Sequence, residues 1–190
     1  MKAKLLEGKI LAAEIKERLL KEIIVFKENR LKDITLIAVQ VGENPSSEIY
    51  IKSQKKNAEA LGINYRLLKL DATVGEKELL SLIDGINKDE SMHGVIIQMP
   101  LPPGFNRQRI IEAVSVSKDI EGIHPENLGS ILLGKPRFIP CTAQAAYELV
   151  KSTGINLYGK EVVIVGHSEI VGKPLSLLFL NDFSTVTVCH

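Results

Sequence analysis

Tryptophan is absent from this 190-residue chain, cysteine occurs only twice and aromatic residues make up 5%. Cys141 and Cys189 stand far apart with no C-x-x-C spacing, which argues against a disulfide framework and against a cysteine-based zinc site. His93, His124, His167 and His190 show no metal-ligand spacing either, so no metal is expected. Charge of one sign is also lacking: 24 basic and 23 acidic residues leave a net charge of +1. That balance gives no electrostatic basis for binding nucleic acid or an anionic membrane. No apolar run approaches the roughly 20 residues that a bilayer span needs. Met1-Lys-Ala-Lys4 lacks the apolar region of a signal peptide, and a cytoplasmic protein is expected. There are no repeats or low-complexity segments. What remains is a chain that is 45% hydrophobic, enough to bury a core in one or two domains.

The apolar pattern alternates between the periods of helix and strand. Leu11, Ile15, Leu19, Ile23 and Phe26 form one stripe on a first helix. A strand is predicted over Thr35 to Val41, closed by Gly42-Glu-Asn-Pro45. Ser46 or Ser47 caps the next helix, which runs to Leu61 and stops at Gly62. Ile63 to Leu70 reads as a strand, and Thr73-x-x-Glu76 as a capping box for a helix with Leu79, Leu80, Ile83 and Ile86 inward. Gly94 to Met99 is a buried strand that runs into Pro100-Leu-Pro-Pro-Gly104, and a short helix follows near Arg107 to Val114. Residues 115–140 read as irregular. Thr142 caps a helix over Ala143 to Ser152, Gly154 stops it, and a strand, a helix over Val171 to Asn181 and a strand over Thr185 to Cys189 close the chain. Strands alternating with helices predict an α/β protein of two parallel-sheet βαβ domains. Their expected bounds are 1–120 and 141–190, with 121–140 as an inter-domain loop and cleft wall. Only two strands of the second unit precede His190, where a doubly wound fold has about six, so further strands are expected beyond it.

Glu161-Val-Val-Ile-Val-Gly-His-Ser-Glu-Ile-Val-Gly-Lys-Pro174 is the stretch that organises the second unit. The β-branched run Val162 to Val165 predicts a strand buried on both faces. Gly166 ends it, Ser168 is a candidate N-cap, Gly172 allows close backbone approach and Pro174 suits a first helical turn. A strand, a small-residue turn and a helix start together form an anion site. A Walker loop is excluded by the five residues between Gly166 and Gly172 and by Pro174 at the Ser/Thr position. The strict dinucleotide fingerprint also fails, because His167-Ser168 replaces its second glycine. On its own the stretch equally fits an ordinary tight turn.

Ser47, Tyr50 and Gln54 share one helix face, from which Lys52, Lys55 and Lys56 project away. The plain alternative is a solvated helix with Tyr50 half-buried. Gln98 is harder to set aside, because it interrupts the apolar run Val95-Ile-Ile-Gln-Met99 at the carboxyl end of a parallel strand. A buried amide there must find partners, and α/β proteins place ligands at that end. Asp119 and Glu121 read as solvated loop charges.

Taken together, the segments resemble the methylenetetrahydrofolate dehydrogenase/methenyltetrahydrofolate cyclohydrolase family. The match rests on Val41-Gly-x-x-Pro-x-Ser47-x-x-Tyr50, Gly94-Val-Ile-Ile-Gln-Met-Pro-Leu-Pro102, Lys118-Asp-x-x-Gly122, Asn127-x-Gly129, Pro140-Cys-Thr142 and Val165-Gly-x-Ser168-x-x-Val-Gly172-x-Pro174. The resemblance implies a folate-binding catalytic domain, the start of a Rossmann-like NAD(P)-binding domain, a cleft between them and a homodimer. Tyr50, Gln54 and Gln98 would stand at the catalytic positions. Ser47, Ile97, Met99, Pro100, Leu101 and Glu121 would join Tyr50 and Gln98 around the folate. Thr142, Gly166, His167, Ser168, Val171, Gly172, Pro174 and His190 would meet the dinucleotide. His167 stands where some relatives carry an arginine for the 2′-phosphate, which leaves NADP or NAD open.

Three departures from the family pattern bear on activity. The family's lysine, four residues after the tyrosine, is Gln54 here; the pterin-anchoring aspartate is Glu121; and Pro-Cys-Thr-Pro ends in Ala143. Lys55 and Lys56 are rotated by about 100° and 200° around the helix and are poor substitutes for the lysine. The implied activity is NAD(P)-dependent oxidation of 5,10-methylenetetrahydrofolate in one-carbon metabolism and purine biosynthesis, with the cyclohydrolase step weakened or lost. The alternatives are a non-catalytic folate-binding or dimerising fragment and a generic nucleotide-binding α/β protein.

Overall fold

The computed structural model describes residues 5–30 and 32–190, without the side chains of Arg30 and Ser46; Met1–Lys4 lie outside the described residues. Contacts group Lys16–Ile120 into one compact unit, and the residues up to Ile15 with Glu121–His190 into another.

The first unit holds most of helix α1 (Gly8–Arg30), then β1 (Thr35–Val41), α2 (Pro45–Ala60), β2 (Asn64–Leu70), α3 (Glu76–Lys88), β3 (Gly94–Ile97) and α4 (Arg107–Ala113). Its sheet is parallel, in the order β2-β1-β3. Side chains alternate across it. Ile37, Val39, Val41, Val95 and Ile97 face α3 and α4 and form the main core with Leu79, Ile83, Ile86 and Ile110. The opposite face carries Ala38, Gln40, Ile96 and Gln98. Tyr65 lies on that face too, where its hydroxyl reaches Gln54 of α2.

Several local expectations are corrected. Helix α2 begins at Pro45, so Ser47 lies inside it and spends its hydroxyl on the Met99 carbonyl, 3.1 Å away, instead of capping. Ser46, the other candidate cap, lies in the helix and its side chain is outside the described set. Thr73 does not form the capping box. Its N–H and Oγ1 both donate to Asp71 Oδ1, and Glu76 turns to the Asn106 N–H at 2.7 Å and Arg109 at 3.0 Å. Gly75 becomes the N-cap of α3. The third strand ends at Ile97, two residues short of Met99. In α1, Leu11, Ile15 and Leu19 are half-buried and Ile23 is buried, whereas Phe26 is exposed.

The second unit has α5 (Pro125–Leu132), α6 (Cys141–Lys151), β4 (Glu161–Val165), α7 (Gly172–Asn181) and β5 (Thr185–Cys189). Strands β4 and β5 pair in parallel, and Val162, Ile164 and Val186 pack on Tyr147, Leu175 and Phe179. Helix α5 breaks the stretch expected to be irregular. His124 caps it through Nδ1 to the Glu126 N–H, with Pro125 as its first residue. Among the described residues, the strand predicted to be buried on both faces is covered on the Val162–Ile164 face alone. Val163 and Val165 are 65% and 84% exposed, because α6 and α7 both lie against the Val162–Ile164 face. Neither Thr142 nor Ser168 caps a helix. Pro140 is the N-cap of α6 and Val171 that of α7, and it is the Ser168 carbonyl that accepts from Lys173 N–H.

Candidate functional site

Strand β3 delivers Gln98 to the carboxyl edge of the sheet, where its N–H donates to the Val39 carbonyl at 2.8 Å. The side chain is 7% exposed, and its Nε2 donates to Gln54 Oε1 at 2.9 Å. The same oxygen accepts the Tyr65 hydroxyl at 2.8 Å. Gln54 on α2 thus ties β3 to the edge strand β2 across the central strand. Ala38, fully buried on that face of β1, is small enough to leave room for such a bridge. Tyr65 escaped the sequence reading; its signal is the alternation of β2, which puts Tyr65, Leu67 and Lys69 on the face of α2.

Gln40 lies on the same face of β1, one residue beyond the Val39–Ile97 pair, which places it beside Gln98. It is 2% exposed, and neither Nε2 nor Oε1 has a hydrogen-bond partner among the described residues. An unmet buried amide costs about 1–3 kcal/mol per group, so this face keeps polarity that packing does not require. No feature of the sequence reading pointed to Gln40, because one polar residue in a strand often faces solvent.

Tyr50 stands one helical turn before Gln54 and is 69% exposed, not half-buried. Its ring is therefore free to take a flat partner. Ser47 fixes the start of α2 to the Met99 carbonyl, within the loop Gln98-Met99-Pro100-Leu101 that follows Ile97, the last residue of β3. The Met99–Pro100 bond is cis. Lys52, Lys55 and Lys56 are exposed, and Lys55 sits 3.8 Å from Glu59. A groove of about 560 Å³ lined by Leu68, Leu82, Ile86 and Met92 opens on the opposite, α3 face of this sheet and takes in none of these residues.

The Lys118–Gly122 segment divides in two. Lys118 Nζ donates to the Ile86 and Asp89 carbonyls at 2.8 and 2.7 Å, a cation closing the carboxyl end of α3. Asp119 is 4% exposed and bridges Val95, so it is not the solvated charge expected. Glu121 is half-buried and opens the other unit. Gly122 follows at φ 67°, where a Cβ would strike the Ile139–Pro140 backbone.

In the second unit the carboxyl end of β4 turns through Gly166, at φ 111°, with nothing within 4 Å of where its Cβ would stand. Gly172, at the start of α7, is held so close to Gly166 that a Cβ would fall on its carbonyl oxygen. A cavity of about 380 Å³ is lined by Gly166, Ser168, Val171 and Gly172 with apolar side chains such as Val162 and Leu175. His167 and His190, at the ends of adjacent parallel strands, stack edge-to-face with ring centroids 4.5 Å apart. Pro174 is buried in the first turn of α7, and Thr142 is exposed in the first turn of α6. A backbone turn that admits no side chain at one glycine and leaves open space at the other fits a phosphate-bearing dinucleotide. Among the described residues no group of three or more His, Cys, Asp or Glu could hold a metal, and no helix is long and apolar enough to cross a membrane.

Comparison with known proteins agrees with both halves. Residues 6–121 match the tetrahydrofolate dehydrogenase/cyclohydrolase catalytic domain, and residues 140–190 match the NAD(P)-binding domain of the same family. The chain is 45% identical over 192 aligned positions to the bifunctional protein FolD of Bacillus pumilus, covering 100% of this chain and 67% of that protein. Against its Bacillus subtilis counterpart the identity is 44%, with the same coverage. The crystal structure of the bifunctional FolD enzyme from Campylobacter jejuni superposes with a TM-score of 0.94 at 40% identity, over 98% of this chain and 66% of that one. The Trypanosoma brucei enzyme, solved with NADP and an inhibitor, gives 0.92 at 29% identity over 100% and 65% of the two chains. The chain spans about two thirds of the length of these relatives. On the strength of both domain matches and these relatives, it belongs to the tetrahydrofolate dehydrogenase/cyclohydrolase family.

Proposed function

We propose that the protein carrying this chain oxidises 5,10-methylenetetrahydrofolate to 5,10-methenyltetrahydrofolate, and that it has little or no cyclohydrolase activity. Residues 1–120 serve as the folate domain and 141–190 as the start of the dinucleotide domain, with 121–140 connecting them along the chain. Bound NAD(P) supplies the hydride acceptor. The chain's own task is positioning. Tyr50 offers an exposed ring for the folate, Gln98 and Gln54 orient the reacting end, the Ile97–Leu101 segment shapes the pocket, and Glu121 anchors the pterin. Gly166, His167, Ser168, Val171, Gly172 and Pro174, with Thr142 and His190, hold the dinucleotide. A cytoplasmic homodimer contributing to purine biosynthesis completes the proposal.

Expulsion of a hydride from the methylene carbon is driven by the substrate's own nitrogen lone pair, so alignment supplies most of what the protein must add. Hydrolysis of the methenyl product needs a water whose proton is taken up. The observation that carries the proposal is the pair of hydrogen bonds converging on Gln54 Oε1. A neutral amide already engaged by Tyr65 and Gln98 orients groups but cannot titrate as a base. Loss of general acid–base help costs about 10²- to 10⁴-fold in rate. Both rates, measured on the full-length protein and on Gln54→Lys, test this. Brisk methenyl hydrolysis by the unmodified protein would overturn it, as would a folded lysine variant that gains none.

A further inference from the structure

We infer that Tyr65 is a positioning residue for the folate site, fixing Gln54 so that its amide nitrogen is offered to the ligand as a neutral hydrogen-bond donor. The inference rests on the folate reading above. Three observations carry it. Gln54 Oε1 accepts from Tyr65 at 2.8 Å and from Gln98 at 2.9 Å, which uses both of its lone pairs. Gln54 is half-buried, and both hydrogen bonds of its side chain among the described residues end on Oε1, so the –NH2 half has no acceptor among them. Tyr65 itself projects from a strand whose register with β1 is continuous over seven pairs, from Thr35–Asn64 to Val41–Leu70.

The physical consequence concerns freedom. A glutamine side chain on a helix samples several rotamers, and its amide can present either end. Tyrosine has few rotamers and a rigid ring, so a strand-mounted hydroxyl is a well-placed stop. With the oxygen held from two sides, position 54 can only donate. It therefore selects an acceptor atom on the ligand, such as a carbonyl oxygen or a ring nitrogen lone pair of the reduced pterin. The site gains the donor function of an ammonium group without its charge or its proton exchange.

The test is a double-mutant cycle on the full-length protein, reading tetrahydrofolate binding by titration calorimetry without dinucleotide. Tyr65→Phe should weaken binding about fivefold when Gln54 is present and less than twofold in a Gln54→Ala background. Gln54→Glu keeps two acceptor oxygens for Tyr65 and Gln98 but loses the donor, and should bind as poorly as Gln54→Ala. A Tyr65→Phe effect of equal size in both backgrounds would make Tyr65 merely structural and overturn the inference. So would a Gln54→Glu variant that binds like the unmodified protein. Failure of the unmodified protein to bind tetrahydrofolate would overturn the folate reading and this inference with it, whereas normal binding that Tyr65→Phe leaves unchanged overturns this inference alone.

Discussion

The two units build their candidate sites from different materials. In the three-stranded sheet of the first unit the site is made of side chains: Gln98, Gln54 and Tyr65 bonded together, with Gln40 beside them. In the two-stranded sheet of the second it is made of main chain, a glycine turn and a helix start brought so close that Gly172 cannot carry a Cβ. The first kind of site depends on which functional group stands at each position. The second depends on the absence of one. Substitutions should therefore break them in different ways.

The largest effect is expected where backbone meets backbone. Gly172→Ala puts a methyl group on the Gly166 carbonyl, and relieving that overlap should cost on the order of 3 kcal/mol. Chemical denaturation should show the loss, and dinucleotide binding should vanish with it. A variant of normal stability would mean that the turn relaxes easily. Gly166→Val separates strain from overlap, since φ 111° disfavours any side chain while the space around it is open. Backbone strain of about 1–3 kcal/mol should weaken NAD(P) binding roughly tenfold or more while tetrahydrofolate binding stays the same. Equal loss of both ligands would point to misfolding of the chain.

Side-chain sites carry the opposite signature, a polar group whose removal helps the fold. Gln40→Leu discards an amide with no partner at either end among the described residues and should raise stability by about 1–2 kcal/mol in urea titrations. Destabilisation would show that the amide is bonded after all.

The smallest effect sits in the dinucleotide unit, where the Tyr147 hydroxyl donates to Asp182 at 2.6 Å and Lys151 approaches the same oxygen at 3.1 Å. The Tyr147 hydrogen bond, helped by Lys151, holds the Asp182 carboxyl below the usual carboxylate range. Its contribution is present above that range and lost as pH falls through the lowered value. Burial first, then Asp182, pushes the Tyr147 phenol up, and a hydrogen bond from Lys151 to Asp182 raises the Lys151 ammonium. Those contributions are present below the ordinary phenol and ammonium ranges and fade as pH rises through the raised values. Tyr147→Phe should cost about 1 kcal/mol at neutral pH and flatten the profile of unfolding midpoint against pH at both ends. An unchanged profile would mean that the contact is solvated away.

Much of the architecture was legible because hydrophobic periodicity is local. The strands at Thr35–Val41 and Thr185–Cys189, the inward Leu79, Ile83 and Ile86, and the parallel αβ alternation all follow from residue spacing. Caps were less legible. Thr73, Thr142 and Ser168 have the right chemistry, but Asp71 captured the first, and the other two helices begin where Pro140 and Val171 place them. Helix α5 was missed because its start signal, His124-Pro125, is short and its apolar face small.

By itself the sequence determined the order of the strands and of every helix but α5, the glutamine at the position of the family's lysine, and a polar interruption at Gln98 that had to be functional or satisfied. Only the tertiary structure decided that Gln98 is satisfied by Gln54 and that Tyr65 holds the same oxygen. It also decided that Gln40 is buried with no partner among the described residues, and that α6 and α7 pack on the Val162–Ile164 face of β4 and leave Val163 and Val165 on the other. The reason is that chain spacing sets which face of an element a side chain occupies. What lies across from that face depends on which strands pair and which helix covers them, and those contacts join residues as far apart as Gln54 and Gln98.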